Sequence, residues 1–259
     1  MPDHRNKVFM AVGLLFAFGF PELVGSPGCG TALAQATDDD WRWSVTPYLW
    51  GSAIKADVRF PGGQAIGGEA GFDDILDKLE MAGQVHVEGL RGEWGMFIDA
   101  TYLSLGDDGA RGPISTNADI DTGIYEIAAL YTPGGVSGRF TAIAGARIID
   151  LSLDMQFSGG FPGSPVTRSA DKSYTDFMVG GRYMGSFNDR WGFILRGDIG
   201  AGDTDSSWNA LAGINWRFGT ELDNAVSVGW RHMEIEVEDQ GRKTDVGFDG
   251  PIAGVTFGF

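Results

Sequence analysis

Two histidines beyond residue 34 have a carboxylate two positions away. They are His86 with Glu88 and His232 with Glu234. Residues i and i+2 of an extended strand point the same way, so each pair could serve as a general base if a nucleophile or an activated water lay beside it. A buried polar network explains the first pair more simply. We therefore expect no catalytic residues and a protein that is not an enzyme.

Residue types exclude several other chemistries. The single cysteine is Cys29, so the rest of the chain can form neither a disulfide, a thiol nucleophile nor a cysteine-rich zinc site. No P-loop is present, and Gly180, Gly181, Gly197 and Gly200 are interpreted as glycines that let strands pack closely. The sequence predicts no cofactor and no metal centre.

The charge balance argues against nucleic acid and anionic lipid headgroups as partners. The 259 residues contain 19 Lys and Arg against 35 Asp and Glu, a net charge of -16. Without a basic patch the protein is not expected to bind nucleic acid or anionic lipid headgroups.

The N terminus has the pattern of a secretory signal. Arg5 and Lys7 precede an apolar run at residues 8–20 that is too short to span a bilayer comfortably, and small residues alternate at 32–36. We expect a signal peptide at residues 1–34, with cleavage after Ala34 or Ala36, and a single domain at residues 37–259. Cys29 would leave with the signal, since Ser26 stands where a lipid-attachment box usually has Leu.

The rest of the chain has a hydrophobic period of two, which is typical of β-strands. Between Trp208 and Phe218 the even positions are apolar and the odd positions mostly polar. Two predicted strands change parity partway, at Ile148-Ile149 and at Arg231-His232-Met233, and we expect a β-bulge at each. Ten segments follow the alternation: 41–55, 81–91, 93–105, 121–132, 138–153, 173–187, 190–201, 207–218, 224–237 and 248–259.

The connections between these segments alternate in length. Those at 91–93, 132–138, 188–190 and 219–223 are tight, and those at 56–80, 106–120, 154–172, 202–206 and 238–247 are mostly longer. This predicts an all-β fold, a transmembrane antiparallel up-and-down β-barrel of about ten strands, with eight as the alternative. The long loops would be extracellular, and the short turns and both termini periplasmic, in a bacterial outer membrane.

Aromatic residues cluster beside the tight turns and the chain ends, where they would form a girdle at one membrane interface. Trp94 and Tyr102 lie eight residues apart on the outward parity, which spans ~20 Å at a tilt near 40°. The predicted girdle consists of Trp43, Trp94, Tyr131, Phe140, Phe187, Trp191, Trp216, Phe218 and Phe259.

The C-terminal segment supplies a family resemblance. Ala253, Val255, Phe257 and Phe259 share one face, and the chain ends on the last of them. This resembles the C-terminal signature of Gram-negative outer-membrane barrels, which their assembly machinery reads. With the tracts at 43–52, 72–79 and 86–95, the chain resembles small outer-membrane barrels of the OmpA, OmpX and opacity-type surface-antigen group. The resemblance implies fold and location but no common chemistry, and many members have eight strands.

The opposite parity places charged residues inside the barrel, five of each sign. Buried ions need partners, so we expect a pairing network that obstructs the lumen together with Tyr48, Trp50, Phe97, Met178, Met184 and Leu211. Replacing Arg196 or Arg217 by Ala is expected to cost about 2 to 5 kcal/mol of stability. The predicted lumen charge network comprises Glu88, Asp99, Glu126, Arg147, Asp176, Arg182, Arg196, Asp198, Arg217 and Arg231.

The excess acid then belongs to the loops. A solvated acidic rim explains it, as do divalent cations bridging the loops to lipopolysaccharide phosphates, although no loop has EF-hand spacing. Residues 72–79 have helical spacing. A helix there could cap the barrel mouth, but one of under three turns is more typical of a loop helix packed on its neighbours. The acidic loop residues are Glu69, Asp73, Asp74, Asp77, Glu80, Asp107, Asp108, Asp119, Glu238, Asp239 and Asp245, with Glu234 and Glu236 nearby.

The function expected from the sequence is structural or surface-interacting, meaning envelope integrity, adhesion or loop-mediated binding. A narrow passive channel for small solutes is the first alternative. The second is an outer-membrane hydrolase of protease or lipid A-modifying type. The expected partners are outer-membrane lipid, lipopolysaccharide and the barrel-assembly machinery.

Overall fold

The structure is a computed structural model that describes residues 40–111, 114–159, 165–220, 223–239 and 241–259. The predicted signal peptide, its cleavage sites after Ala34 and Ala36, and Cys29 lie outside these residues. The elements are β1 (Arg42–Trp50), β2 (Ala53–Arg59), β3 (Ala65–Ala70), α1 (Phe72–Lys78), β4 (Leu79–Arg91), β5 (Trp94–Arg111), β6 (Ile114–Tyr131), a 3-10 turn (Gly135–Ser137), β7 (Phe140–Gly159), β8 (Val166–Ser186), β9 (Trp191–Gly202), β10 (Ser206–Phe218), β11 (Asn224–Asp239) and β12 (Arg242–Gly258).

The strands close into a barrel. From β4 to β12 each strand pairs antiparallel with the next, and β1 joins the two edges by pairing with both β4 and β12. β1 and β2 are successive parts of one strand, because both lie along β12, and β3 folds back on β2. Counting β1 and β2 together and leaving β3 aside, the barrel has ten strands, which confirms the predicted fold. In the part of the chain described, no helix is long and apolar enough to span a membrane.

The four connections that the sequence predicts to be tight lie at one end of the barrel, called here the turn end. The tightest is the two-residue connection between Arg91 and Trp94, where Gly92 has φ +57°, a conformation that side chains other than glycine rarely adopt. The last residue, Phe259, also lies here and exchanges two backbone hydrogen bonds of 2.9 Å with Trp43. The opposite end is called the hairpin end.

At the hairpin end the strands are longer than the sequence predicts. The segments 106–120 and 154–172, expected to be loops, belong mostly to two tall hairpins, β5–β6 and β7–β8, and 238–247 is nearly all strand. Their small polar residues obscured the period-two pattern. The β9–β10 hairpin, which turns at residues 203–205, is short and does not project beyond the barrel as these two hairpins do. It is called the low hairpin below.

The predicted β-bulges at Ile148-Ile149 and Arg231-His232-Met233 are wrong. Pairing of β7 with β6 and β8, and of β11 with β10 and β12, is continuous through both sites. The side of the strand that faces inward does not change there; its polarity does. Arg147 and Ile149 both point inward, as do Arg231 and Met233, and all four are buried.

This reversal of polarity divides the barrel into two layers. Towards the turn end the outward side chains are apolar and exposed, among them Met96, Ile98, Ile127, Leu195, Ile199 and Val228. Towards the hairpin end the outward side chains are acidic or small and polar, among them Asp119, Asp121, Asp150, Ser152, Asp154 and Asp171. The first layer suits a lipid environment and the second suits water.

In the hairpin-end layer the barrel flattens into two facing sheets, called here the upper sandwich. One sheet comes from β5–β8 (residues 103–111, 114–123, 149–159 and 166–175) and the other from β11, β12, β2 and β3 (residues 234–239, 242–249, 53–59 and 65–70). The apolar cluster between them comprises Tyr48, Trp50, Ile124, Ile149, Met233, Ile235 and Phe248, with Ile54, Leu151, Tyr174, Val237 and Val246 packed against it.

One wall of the barrel is completed by α1. Pairing of β1 with β4 stops at Pro47 opposite Val85, and proline has no N–H to continue it. Beyond that point Gln84 Oε1 accepts a hydrogen bond from the backbone of Trp50. Phe72 of α1 packs so closely on Gly51 that a Cβ there would lie 2.6 Å from its ring. The predicted helix is therefore present, and it packs on the chain just beyond the point where β1 and β4 stop pairing.

Candidate functional site

A girdle of aromatic side chains surrounds the exterior of the turn end. Seven predicted girdle residues are exposed there, and Trp43 and Phe218 are partly buried. The seven are Trp94, Tyr131, Phe140, Phe187, Trp191, Trp216 and Phe259. The predicted assembly-signal residues Ala253, Val255 and Phe257 lie on the outward face of β12, with Phe259 beyond its end.

A second set of outward aromatics lies where the exterior becomes acidic. Trp230 Nε1 donates to Asp249 Oδ1 at 3.1 Å, Trp208 Nε1 donates to Glu234 Oε2 at 3.0 Å, and the Tyr102 hydroxyl donates to an Asp121 oxygen at 2.9 Å. An apolar ring with a hydrogen-bonded polar tip is typical of a membrane interface. The two sets bracket the apolar band.

Inside the barrel, Arg147 is the centre of a buried ion cluster. It is 0% exposed, and its Nε and Nη2 donate to Glu126 Oε1 at 2.9 and 2.7 Å. Nη2 also donates to Asp198, and Nη1 donates to Ser207 Oγ at 3.2 Å. Strands on different sides of the lumen thus place opposite charges at the same height along the barrel axis. The charges stabilise one another there, because an isolated buried ion has a high desolvation cost.

Two further arginines complete this cluster. Arg196 donates to Glu126 Oε2 at 2.7 Å and to Asp198 Oδ2 at 3.0 Å, and its guanidinium lies 5.0 Å from the Phe97 ring centre. Arg231 lies 3.7 Å from Glu126 Oε1, donates to Asn209 at 2.8 Å and covers the Trp50 ring at 4.5 Å. Cations, carboxylates and aromatic rings together fill the barrel interior at the level of the ion cluster.

Asp176 enters the cluster indirectly. It is 0% exposed and accepts hydrogen bonds from Thr204 N at 3.0 Å, Thr204 Oγ1 at 2.6 Å and Ser207 Oγ at 2.9 Å. Ser207 joins it to Arg147. Sequence reasoning missed Ser207, Thr204 and Asn209, although the inward parity of Ser207 and Asn209 in β10 could have identified those two.

A second group lies nearer the turn end, around His86. Its Nδ1 is 3.0 Å from Asp99 Oδ2 and its Nε2 is 3.3 Å from Glu88 Oε2. Arg182 binds Glu88 through two hydrogen bonds of 2.5 and 2.7 Å, and the Tyr48 hydroxyl donates to Asp99 Oδ1 at 2.7 Å. Both ring nitrogens of His86 thus have carboxylate partners, and His86, Glu88, Asp99 and Arg182 form one polar network inside the barrel.

Arg217 stands apart from both groups. Its guanidinium contact among the described residues is with Ser186 Oγ at 3.3 Å, which is exposed. It lies near the end of β10, at the turn end. Of the ten predicted network residues, the structure brings nine into two connected groups and leaves this one outside them.

A cavity, called here the vestibule, lies inside the barrel among the described residues. It occupies about 390 Å³, and Tyr48, His86, Arg196, Leu211, Arg217 and Asp223 contribute to its lining. It extends from the ion cluster to the turn end. On the other side of the ion cluster lies the apolar cluster of the upper sandwich, so the vestibule is closed at its inner end by side chains. Phe97 and Met178 are buried beside it, whereas Met184, which is 42% exposed, lines the vestibule itself.

The acidic residues expected in loops lie mostly on strands or on α1. Glu69 pairs with Lys55 at 3.4 Å and Asp245 with Arg59 at 3.4 Å. Lys243 binds Glu236 at 2.6 Å, and this hydrogen bond raises the pKa of the lysine. No group of three or more His, Cys, Asp or Glu placed to hold a metal occurs among the residues described. The side chains of Asp107 and Asp108 lie outside the described part.

His232, the other histidine considered for catalysis, points away from the lumen. Its Nδ1 is 2.9 Å from Asp249 Oδ1 and its ring lies 4.6 Å from that of Trp208. Glu234, its neighbour in sequence, accepts the hydrogen bond from Trp208 instead. This pair therefore belongs to the aromatic set at the upper interface.

Comparison with solved structures places this geometry among known barrels. The outer membrane protease OmpT from Escherichia coli has 8% identity, covers 86% of this chain and 98% of its own, and gives a TM-score of 0.50. Ail, the attachment invasion locus protein of Yersinia pestis, has 8% identity, covers 84% and 99%, and gives 0.38. The translocator domain of NalP from Neisseria meningitidis has 11% identity, covers 84% and 88%, and gives 0.32. No protein-family model matches the chain, and no curated protein matches its sequence.

These likenesses concern the fold. At 8% identity the OmpT comparison shows that the chain has the β-barrel fold of bacterial outer-membrane proteins, and this supports an outer-membrane location. It carries no residue roles across. What the lumen does follows from the contacts inside it.

Proposed function

We propose that this chain is an outer-membrane barrel whose lumen is sealed, and that it serves a structural or surface-interaction role. The buried cluster of Arg147, Glu126 and Asp198 carries the proposal. All three side chains are 0% exposed, and Arg231, 3.7 Å from Glu126, joins them to the apolar cluster of the upper sandwich by covering the Trp50 ring at 4.5 Å. A solute crossing the barrel would have to break these buried ion pairs, which is costly.

The difference between the two ends supports a proposed orientation. The turn end holds the C-terminal residue and no projecting hairpin among the described residues, whereas the hairpin end forms a water-compatible body with its own apolar interior. Outer-membrane barrels keep short turns in the periplasm and longer projections outside. The upper sandwich would therefore face the exterior, where it could take part in adhesion or other loop-mediated binding, and both termini would be periplasmic.

Planar-bilayer recording tests the seal. The refolded chain of residues 37–259 is expected to give no stable single-channel steps. Arg217→Ala is the matched control, since Arg217 lies in the vestibule outside the ion cluster and its removal should leave the seal intact. Stable conductance steps from the unmodified protein would favour the narrow passive channel and contradict the sealed lumen.

A non-enzymatic role is part of the same proposal. His86 is saturated by two carboxylates, and His232 faces outward beside two tryptophans. OmpT is named as a protease, but its likeness to this chain concerns the fold alone. Purified protein is expected to hydrolyse neither peptides nor lipid A. Hydrolysis that disappears in His86→Ala or His232→Ala would establish an enzyme instead.

The proposed surroundings are outer-membrane lipid and lipopolysaccharide, with assembly by the machinery that reads the C-terminal strand. The acidic exterior of β6–β8 would meet the phosphates of lipopolysaccharide only through divalent cations, since like charges repel. Chelation is therefore expected to weaken binding of lipopolysaccharide to the refolded barrel in a pull-down assay. Unchanged binding in excess chelator would contradict the cation bridge while leaving the sealed lumen unaffected.

A further inference from the structure

The upper sandwich has a gap in one wall. β9 ends at Gly202 and β10 begins at Ser206, whereas β8 continues away from the membrane as far as Val166. Pairing of β8 with β9 starts only at Asp176 opposite Gly202, and pairing of β11 with β10 reaches only Glu236 opposite Ser206. Above the low β9–β10 hairpin, β8 and β11 therefore flank a notch.

A second cavity, the upper pocket, lies between the strand pairs that flank this notch. It occupies about 120 Å³. Its apolar lining comes from the inner faces of both sheets: Ile149, Leu151, Ile235, Val237, Val246 and Phe248. Its polar lining comes from Lys172, Tyr174, Asp239, Arg242 and Thr244. An apolar wall with a few polar groups at one side is typical of a small-molecule site.

The charge at this pocket differs from that of the molecule as a whole. The chain carries a net charge of -16, yet the pocket has two cations, Lys172 and Arg242, against one carboxylate, Asp239. Arg242 is only loosely paired with Asp239, at 4.0 Å. In the part of the chain described, the Lys172 ammonium has neither an ion pair nor a hydrogen bond. A cation free to receive an anion thus lies beside an apolar wall.

We propose that the upper pocket binds a small anionic amphiphile, a carboxylate with a short alkyl chain. The carboxylate would lie at Lys172, within reach of the hydroxyl-bearing lining residues, and the chain would lie against Ile149, Ile235 and Phe248. Charge selects the anion and apolar area selects the chain, so neither an alcohol of equal length nor a bare inorganic anion satisfies both halves of the site. This site is independent of the surface role proposed above.

Methyl NMR in lipid nanodiscs tests the proposal without detergent, which would compete. With the isoleucine δ1 methyl groups labelled, Ile149 and Ile235 report on the pocket, whereas Ile127 and Ile199, which are outward and more than half exposed, report on partitioning into lipid. Sodium octanoate is expected to give saturable shifts at the first pair only. 1-Octanol is expected to bind at least about threefold more weakly, and inorganic phosphate to cause no shift.

Variants separate the two halves of the site. Lys172→Gln, at an exposed side chain, should weaken octanoate about threefold and leave octanol unchanged, as expected for an exposed charge contact. Val237→Phe should fill the pocket and abolish the saturable shift. Lys243→Gln is the matched control for Lys172→Gln, because Lys243 lies on the β11–β12 hairpin, which also borders the pocket, but on its outward face, paired with Glu236.

Three results would overturn the proposal. The first is the lack of a saturable shift at Ile149 and Ile235. The second is equal affinity for octanoate and octanol, or an unchanged affinity in Lys172→Gln, either of which means that no anion is selected. The third is a shift by phosphate alone, which would mark an inorganic anion site. If Val237→Phe does not fold, the Lys172→Gln comparison still decides.

Discussion

Arginines of the same predicted role have different surroundings in this barrel. Arg196 contacts two buried carboxylates and an aromatic ring, whereas Arg217 contacts one serine hydroxyl. Sequence parity alone predicts the same effect for both, because it identifies the inward side but not the level along the barrel axis. The difference between the stability losses of the two Ala variants therefore measures how much the ion cluster contributes to the stability of the fold.

Arg196→Ala is expected to lower the free energy of unfolding by about 3 to 5 kcal/mol, since Glu126 Oε2 loses its 2.7 Å partner and Asp198 Oδ2 its 3.0 Å partner, which weakens the neutralisation of two buried carboxylates. Arg217→Ala should change it by less than about 1 kcal/mol, as for an exposed contact. Denaturant unfolding in vesicles, followed by tryptophan fluorescence, measures both. Equal losses for the two variants would mean that the cluster is not the main electrostatic contribution.

At the scale of the strand, the period-two pattern predicts which side chains face inward but not where the surroundings change from lipid to water. Trp94 to Tyr102 keeps one polarity along its length, so its sidedness is predictable. At Ile148-Ile149 the apolar residue passes from the outward to the inward side because the strand leaves the membrane there, and the sequence pattern resembles a bulge. The alternating Asp and Ser residues of the tall β7–β8 hairpin were likewise mistaken for a loop.

Neighbouring isoleucines distinguish a continuous strand from a bulge. Ile149 is 1% exposed and Ile148 is 36% exposed. Ile149→Ala is expected to destabilise the protein by about 2 to 5 kcal/mol, because it leaves a cavity between the two sheets. Ile148→Ala should cost clearly less, since surrounding solvent or lipid fills the space. The unfolding free energies of the two variants provide the check. A larger loss for Ile148→Ala would indicate that Ile148 is the buried residue, as a β-bulge would require.

Close strand contacts explain one of the glycines that the sequence singled out. A Cβ at Gly180 would collide with the carbonyl of Gly197 and with Asp198, whereas a Cβ at Gly83 would meet open space. Gly180→Val should therefore lower stability by about 1 to 3 kcal/mol. Gly83→Val should be neutral or stabilising, because β-branched residues suit strands. If both are tolerated in a folding assay followed by circular dichroism, the lumen is less tightly packed than described.

At the scale of the whole molecule, the number of strands, the closure and the apolar exterior were predictable from periodicity, connection lengths and the positions of the aromatic residues. The upper sandwich was not, because it depends on which hairpins are tall and which is low, and on tertiary packing across the barrel. The two sheets meet through residues far apart in sequence, such as Ile149 and Ile235. No local pattern encodes that contact.

The net charge of -16 has a consequence for insertion. Refolding into vesicles that contain anionic lipid is expected to be slower at low salt than refolding into zwitterionic vesicles, because the acidic exterior is repelled. At physiological salt most of the difference should disappear, since screening acts over about 8 Å. Tryptophan fluorescence gives the insertion rate. Equal rates at low salt would show that the excess charge does not reach the membrane surface.

The acidic outer face of the β7–β8 hairpin sets a kinetic barrier during biogenesis. If the hairpin end is external, Asp150, Asp154 and Asp171 must all travel through the hydrocarbon layer before the barrel closes. Each costs on the order of 2.5 to 3.5 kcal/mol at the middle of a bilayer, and the serines that bind them in the finished hairpin offer only partial shelter. Spontaneous translocation of this segment should therefore be slow. A route that thins or opens the bilayer locally would lower the barrier and make translocation faster.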